Sequence, residues 1–225
     1  MGSRNSVLIV GASRGIGFEW VRQAREAGDR VVATARDEAG LQRLRDLGAV
    51  ALKLDVMNTA SASGLAWQID GYAFDQVVLV AGVYGPRSTG LQTPTEAEFN
   101  TVMQTNVLGP MRVLPQLQDA LAPGARLAII SSRMGSISLR SNGQGWLYRA
   151  SKAAVNSVLK DASLLLQGKA VCISVHPGWV RTEMGGEGAD IEVHTSVAGM
   201  RAVMAGLSPA DSGSFINYDG ERLSW

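Results

Sequence analysis

Short apolar runs recur along the chain, separated by stretches whose apolar residues return at the helical period. Residues 7–10, 30–35, 50–54, 77–80, 127–130, 171–176 and 215–218 predict seven strands. The first six are almost continuously apolar rather than alternating, as parallel strands buried on both faces require. Residues 16–27 follow a glycine-rich turn and meet Gly28, where a helix-closing glycine belongs. Leu41, Leu44 and Leu47 repeat at the helical period ahead of Gly48. Thr95 and Glu98 have the spacing of a capping box and open a long helix towards Val113. Residues 148–166 read as a further long helix, followed by Gly168. The alternation implies right-handed β-α-β units: an α/β fold, one doubly wound parallel sheet (Rossmann fold, about seven strands) with helices on both faces. No repeat or low-complexity linker divides it, so residues 1–225 are expected to form one domain. Ligands in such sheets bind at the carboxyl ends of the strands.

Composition limits the partners. A chain of 225 residues, 46% hydrophobic and 18% charged, can bury a sizeable core. Lys and Arg number 21 against 20 for Asp and Glu, and they are scattered, so nothing favours nucleic acid or an anionic membrane. No apolar run approaches the length of a membrane span. Residues 1–6 lead almost directly into the first strand and leave no room for a signal peptide, so a cytoplasmic protein is expected. Cys172 is the only cysteine, which excludes an intramolecular disulfide; it reads as inert core. His176 and His194 lack ligand-spaced partners, so no metal is expected.

The candidate chemistry starts at Gly11-Ala12-Ser13-Arg14-Gly15-Ile16-Gly17, between the first strand and the first helix. Gly11 permits the tight turn, Gly15 lets the backbone approach a pyrophosphate, and Gly17 lets helix and strand pack closely. The helix N-terminus, with Ser13 and Ile16 in the same turn, offers free N–H groups and a positive dipole end to phosphates. A plain glycine turn is the competing reading, and the place in the first βα unit favours a dinucleotide. The second strand ends in Ala35-Arg36-Asp37. An NAD site would put a carboxylate at this tip for the ribose 2′-OH. Ala35 stands there instead, and Arg36 suits a bidentate grip on a 2′-phosphate. Arg14 can reach the same phosphate. The pair points to NADP, although either arginine alone could be a solvated surface residue, and Asp37 turned inward would relax the selectivity.

Tyr148 and Lys152 are four residues apart, which stacks them on one helical face. The ammonium would lower the phenol pKa from about 10 towards working pH, giving an acid able to protonate a forming alkoxide. As an isolated pair they would equally fit a surface contact.

The G-x-x-x-G-x-G spacing, Tyr148-x-x-x-Lys152, Ser132 at the end of the fifth strand and Pro177-Gly178 after the sixth together resemble the short-chain dehydrogenase/reductase family. The short length and the ending Tyr218-Asp219-Gly220-Glu221-Arg222-Leu223-Ser224-Trp225 resemble its C-factor-like and carbonyl-reductase-like branch, and the likeness covers nearly the whole chain. It implies that Ser132 hydrogen-bonds the substrate carbonyl, with Ser131 as the alternative, and that Asn106 holds a water beside Lys152 for proton relay. It implies that Asp55, next to Val56, accepts from the adenine amino group; a helix N-cap is the other reading of Asp55. Ala81 and Gly82 would let the backbone approach the cofactor. Pro177, Gly178 and Val180 would face the nicotinamide, and Thr182 would bond its carboxamide. Two departures stand out. The family's Asn-Asn-Ala-Gly is here Leu79-Val80-Ala81-Gly82, and the interval from serine to tyrosine is longer, with residues 140–145 as the insertion.

Residues 183–194 contain Gly185, Gly186 and Gly188 and stand where the family has a mobile loop, so a small substrate lid over about 183–205 is expected. Tyr84, Trp146, Trp179 and Met184 as pocket lining would suit an apolar or aromatic ketone or aldehyde, or the corresponding alcohol; core packing competes for each. The resemblance implies an NADP-dependent carbonyl reductase. An NADP-binding regulatory or signalling protein of the same fold is the alternative, and the Ser132, Tyr148, Lys152 and Asn106 set favours the enzyme. The helices carrying Asn106 and Tyr148 form dimer interfaces in much of the family, so a homodimer is one expectation and a monomer the other.

Overall fold

A computed structural model describes residues 4–225; Met1, Gly2 and Ser3, which begin the leading segment read above, lie outside the described residues. Seven strands form one parallel sheet: β1 (Ser6–Val10), β2 (Arg30–Ala35), β3 (Val50–Lys53), β4 (Phe74–Leu79), β5 (Leu121–Ile130), β6 (Ala170–His176) and β7 (Ser214–Asn217). Their order is β3-β2-β1-β4-β5-β6-β7. Among the described residues eight α-helices connect them: α1 (Gly15–Glu26), α2 (Glu38–Asp46), α3 (Thr59–Ser63), α4 (Leu65–Gln68), α5 (Glu96–Met103), α6 (Gly109–Val113), α7 (Trp146–Leu165) and α8 (Val193–Gly206). One sheet face packs on Trp20, Leu44 and Met200 from α1, α2 and α8, the other on Leu65, Val155 and Leu159 from α4 and α7. The chain reverses direction between β2 and β4 on either side of β1, and this opens a crevice at the carboxyl ends.

The strands lie where the apolar runs place them, with three informative differences. β3 is a sheet edge and is not buried on both faces; Val50 is exposed. β7 is the opposite edge, yet it is covered, because Leu223 N–H donates back to Phe215 O (2.8 Å) and the Trp225 ring stacks on Phe215. β5 begins well before residue 127; the stretch through Pro123 and Gly124 joins the sheet across a register shift opposite Phe74 and Gln76.

The Thr95–Glu98 capping box opens α5 as expected. The long helix does not continue unbroken, because residues 104–108 widen into a π-turn before α6. The cause is Pro110. It has no N–H to give the carbonyl of Asn106, its partner in an α-helix, and the ladder loosens there. Of the segment expected as a lid, residues 193–205 form α8, whose Val197, Met200 and Met204 are fully buried; only 183–192 is irregular.

Candidate active site

A cleft of about 450 Å³ runs along the carboxyl edge of the sheet from Arg36 to Tyr84. Its outer end is made largely of backbone. Gly11 turns at φ 87°, and a Cβ there would stand 2.6 Å from Ala81 N; a Cβ on Gly17 would stand 2.5 Å from Gly11 O. The first turn therefore lies directly on the end of β4. Thr34 straps it to β2: Gly11 N–H donates to Thr34 Oγ1 (3.0 Å) and Ala12 N–H to Thr34 O (2.8 Å). Helix α1 opens with no side-chain cap and no acidic residue in its first turn, which leaves its N–H groups and dipole available to an anion. Gly11, Ser13, Arg14, Gly15 and Ile16 line the cleft, while Gly17 serves the packing beneath it.

The residues expected beside the adenosine also line the cleft: Arg36, Asp55 and Val56, with Ala35 at the strand tip. Asp37 does not turn inward; its carboxylate accepts from Gly40 N–H (2.7 Å) as the N-cap of α2. The cap of α3 is Asn58, not Asp55, whose Oδ1 accepts from Met57 N–H (3.0 Å). Arg14 lines the cleft with Arg36 and pairs with Glu183. Two further arginines support this end. Arg43 donates to Ser13 O (3.1 Å), and Arg112 donates to Val56 O (3.0 Å) and Met57 O (2.9 Å), holding the loop after β3.

Val83, Tyr84, Thr105 and Ile130 line the inner end, and the candidate catalytic side chains are buried behind this lining rather than in it. Tyr148, Lys152 and Ser132 are buried together, with the Ser132 hydroxyl beside that of Tyr148. Ser132 Oγ also accepts from Met134 N–H (3.1 Å), whereas buried Ser131 Oγ has no partner. Lys152 Nζ donates to Ile130 O (2.8 Å) and lies 5.6 Å from the centroid of the Tyr148 ring. Burial pushes the ammonium down to about 8. The expected lowering of the phenol is overturned for the protein alone: burial raises Tyr148, only the Ser132 hydroxyl opposes it, and neighbouring Tyr84 raises it further.

Asn106 reaches the site from the π-turn and is 1% exposed. Its amide accepts from Val83 N–H (2.8 Å) and donates to Val83 O (2.8 Å) and Ser151 Oγ (3.0 Å). Ser151 in turn donates to Tyr148 O (2.8 Å). The side chain thus ties the loop after β4 to the helix carrying Tyr148, and all its groups are occupied. A water beside Lys152 would fall to the Asn106 backbone carbonyl that Pro110 leaves without its helical donor. Gly82 lies between the two groups: a Cβ there would be 3.4 Å from Asn106 Oδ1 and 3.6 Å from Lys152 Nζ.

After β6, Thr182 and Met184 line the cleft, while Pro177, Gly178 and Val180 sit behind it. Pro177 O accepts from Ser196 Oγ (2.5 Å), and Val180 bridges to Ile191, so α8 and residues 183–192 fix this segment from outside. Thr182 Oγ1 accepts from Gly185 N–H (3.2 Å). Tyr84 lines the cleft as expected. Trp146 and Trp179 do not; their indoles donate outward to Gln92 O (3.1 Å) and Gly185 O (2.9 Å). Tyr84 Cα and Tyr148 come from segments 64 positions apart, yet their rings stack, and Arg87, Ser151 and Glu183 complete the surroundings. Sequence reasoning gave none of these last three a role in the site, although Glu183 opens the segment expected as a lid. Ser151 alone left a local signal, as a polar residue inside the helical Tyr148–Lys152 turn. Among the described residues no group of three or more His, Cys, Asp or Glu could hold a metal ion.

Comparison with known proteins gives this geometry a family. The description "short chain dehydrogenase" matches residues 5–192. C-signal of Myxococcus xanthus is 39% identical over 132 residues, 57% of this chain and 80% of its own length. A short-chain dehydrogenase/reductase from Burkholderia multivorans with bound NADP superposes with a TM-score of 0.90 at 31% identity, covering 99% of this chain and 100% of that one. A carbonyl reductase from Pseudomonas aeruginosa PAO1 in complex with NADP gives 0.88 at 31% identity, covering 99% and 100%.

Proposed function

Because the chain belongs to the short chain dehydrogenase family, we propose that it is an NADP-dependent carbonyl reductase, with Tyr148 giving or taking the proton. The substrate we assign is a small apolar or aromatic ketone or aldehyde, or the corresponding alcohol. The oxidoreductase class follows from the family, and NADP is the cofactor that its solved neighbours carry. One observation carries the finer reading: the Tyr148 phenol, beside Ser132 and Lys152, lies next to the inner end of a cleft whose outer end is an uncapped helix N-terminus.

The residues present fit the cofactor. The open N–H groups of α1 would take the pyrophosphate, Asp55 the adenine, Arg36 the 2′-phosphate, and Thr182 the carboxamide. NADPH supplies the hydride. The chain supplies the rest. Ser132, whose oxygen already accepts from Met134 N–H, turns its own hydrogen towards a carbonyl oxygen and steadies the charge developing there. Tyr148 gives that oxygen its proton, and Lys152 refills the phenol from solvent through a water on the Asn106 carbonyl. Residues 183–192 act as the cover, held by Arg14 on Glu183 and by Arg87 on Met184 O (3.0 Å). Val83, Tyr84 and Met184 make the inner wall apolar.

The purified protein assayed for NADPH oxidation against a panel of ketones and aldehydes tests this. Turnover that disappears in Tyr148→Phe supports it. Absence of turnover with every carbonyl, beside tight NADPH binding, would leave the regulatory protein of the same fold. No helix among the described residues is long and apolar enough to cross a membrane, and we place the protein in the cytoplasm. Exposed Phe99 and Met111 on α5 and α6, with Leu164 and Leu165 on α7, support a homodimer through these helices, which light scattering would detect.

A further inference from the structure

The wall of the cleft beside the catalytic phenol is itself a built object. The Tyr84 ring stacks on the Tyr148 ring at 4.6 Å between centroids and 22° between planes. The Arg87 guanidinium stands 5.0 Å from the centroid of Tyr84. Tyr148 already covers one face of Tyr84, so the cation takes the other. Arg87 also donates to Met184 O (3.0 Å), which joins the column to the cover loop. The far end of Tyr84 is fixed as well. Gly145 caps α7 at φ 64°, and a Cβ there would fall 2.5 Å from the Tyr84 hydroxyl. Tyr84 therefore rests against the start of the helix that carries Tyr148. Its backbone is anchored one residue earlier, where Asn106 holds Val83 from both sides.

We propose that Tyr84 and Arg87 are positioning residues that set the plane of the Tyr148 phenol and couple it to closure of the cover loop. The inference rests on the reductase reading above. Stacked phenols cannot rotate independently, so Tyr84 restricts Tyr148 to one orientation in which its hydroxyl meets Ser132. Arg87 draws Tyr84 onto that stack by a cation–π contact and reaches Met184 only when the cover loop is down. A substrate must then enter along the edge of the stacked pair, and Tyr84 limits its width beside the carbonyl. The groups facing Tyr148 are Ser132 from the end of β5, Lys152 from α7, and Tyr84 with Arg87 behind it from the loop after β4.

The test compares Arg87→Gln, Arg87→Lys, Tyr84→Leu and Tyr84→Phe in steady-state kinetics across pH, with NADPH affinity measured by fluorescence titration. Arg87→Gln should lower kcat by about threefold, the scale of an exposed cation–π contact, and move the alkaline limb of carbonyl reduction upward, since a nearby cation favours the phenolate. Arg87→Lys should restore most of that kcat, and Tyr84→Phe, which keeps the stack, should lose less than Tyr84→Leu. Tyr84→Leu should also accept ketones with bulkier groups beside the carbonyl. An unchanged kcat and pH limb in Arg87→Gln, or a loss found only in NADPH affinity, overturns the proposal. If the unaltered protein turns over no carbonyl, it is the reductase reading that fails; if it does and Arg87→Gln matches it, only the positioning role fails.

Discussion

The two ends of the cleft are built by opposite means. At the outer end the main chain forms the wall: glycines bring the turn onto β4, Thr34 ties it to β2, and α1 presents bare N–H groups. At the inner end four separated segments converge through side chains, with Asn106, Tyr84, Ser132 and Tyr148 each held by a neighbour from elsewhere in the chain. A backbone site tolerates no added atom but is stable as it stands. A side-chain site can be emptied atom by atom, and it holds a buried amine and a buried phenol at a cost in stability.

Four substitutions bear on that contrast. Tyr148→Phe should lower kcat by about a thousandfold, within the range of a lost general acid, with NADPH affinity little changed. Comparable loss of both would mean that the ends are not separable. Gly17→Val should do the reverse, destabilising by about 3 kcal/mol through overpacking against Gly11 O, and losing NADPH affinity with it. Thermal melting and titration would show this; an unshifted melt would remove the packing argument. Lys152→Met addresses the stored cost. With Lys152 near 8 against its ordinary 10.5, the unfolded chain binds more protons between those pH values, so stability of the unaltered protein rises over that window. The methionine variant should be more stable by about 2 kcal/mol at neutral pH, and its advantage should shrink from pH 8 upward. A constant advantage at all pH values would show that charge burial is not its source. Arg36→Asp is the smallest. It should move the NADPH to NADH preference in kcat/KM by about thirtyfold, the scale of one charge-assisted contact.

The same contrast explains what the sequence made legible. A glycine turn needs glycine at fixed positions because of main-chain geometry, so Gly11, Gly15 and Gly17 can be recognised without knowing their neighbours. The seven strands are legible for a similar reason, since burial on two faces demands continuous apolar runs. β3 escaped that rule only because nothing local says which strand ends the sheet. Tyr148 and Lys152 are one turn apart and signal themselves. The role of the Asn106 side chain was not legible, because Val83 and Ser151 are distant in sequence. The break around Asn106 did leave a trace in Pro110, four residues on. The Arg14–Glu183 pair was not legible either, because its partners are 169 positions apart. Tyr84 and Arg87 carry no motif; only the fold stacks Tyr84 on Tyr148 with Arg87 behind it.

The Arg14–Glu183 pair spans the cleft between the glycine turn and the loop after β6, with both side chains mostly exposed. A dinucleotide bound as proposed would lie beneath it and be enclosed, with Met184 at the inner end. The expected consequence is kinetic order: cofactor first on and last off, with the second reactant entering and leaving in between. Exposed ion pairs are screened by salt, so added salt should speed cofactor release more than it alters the bond-making step.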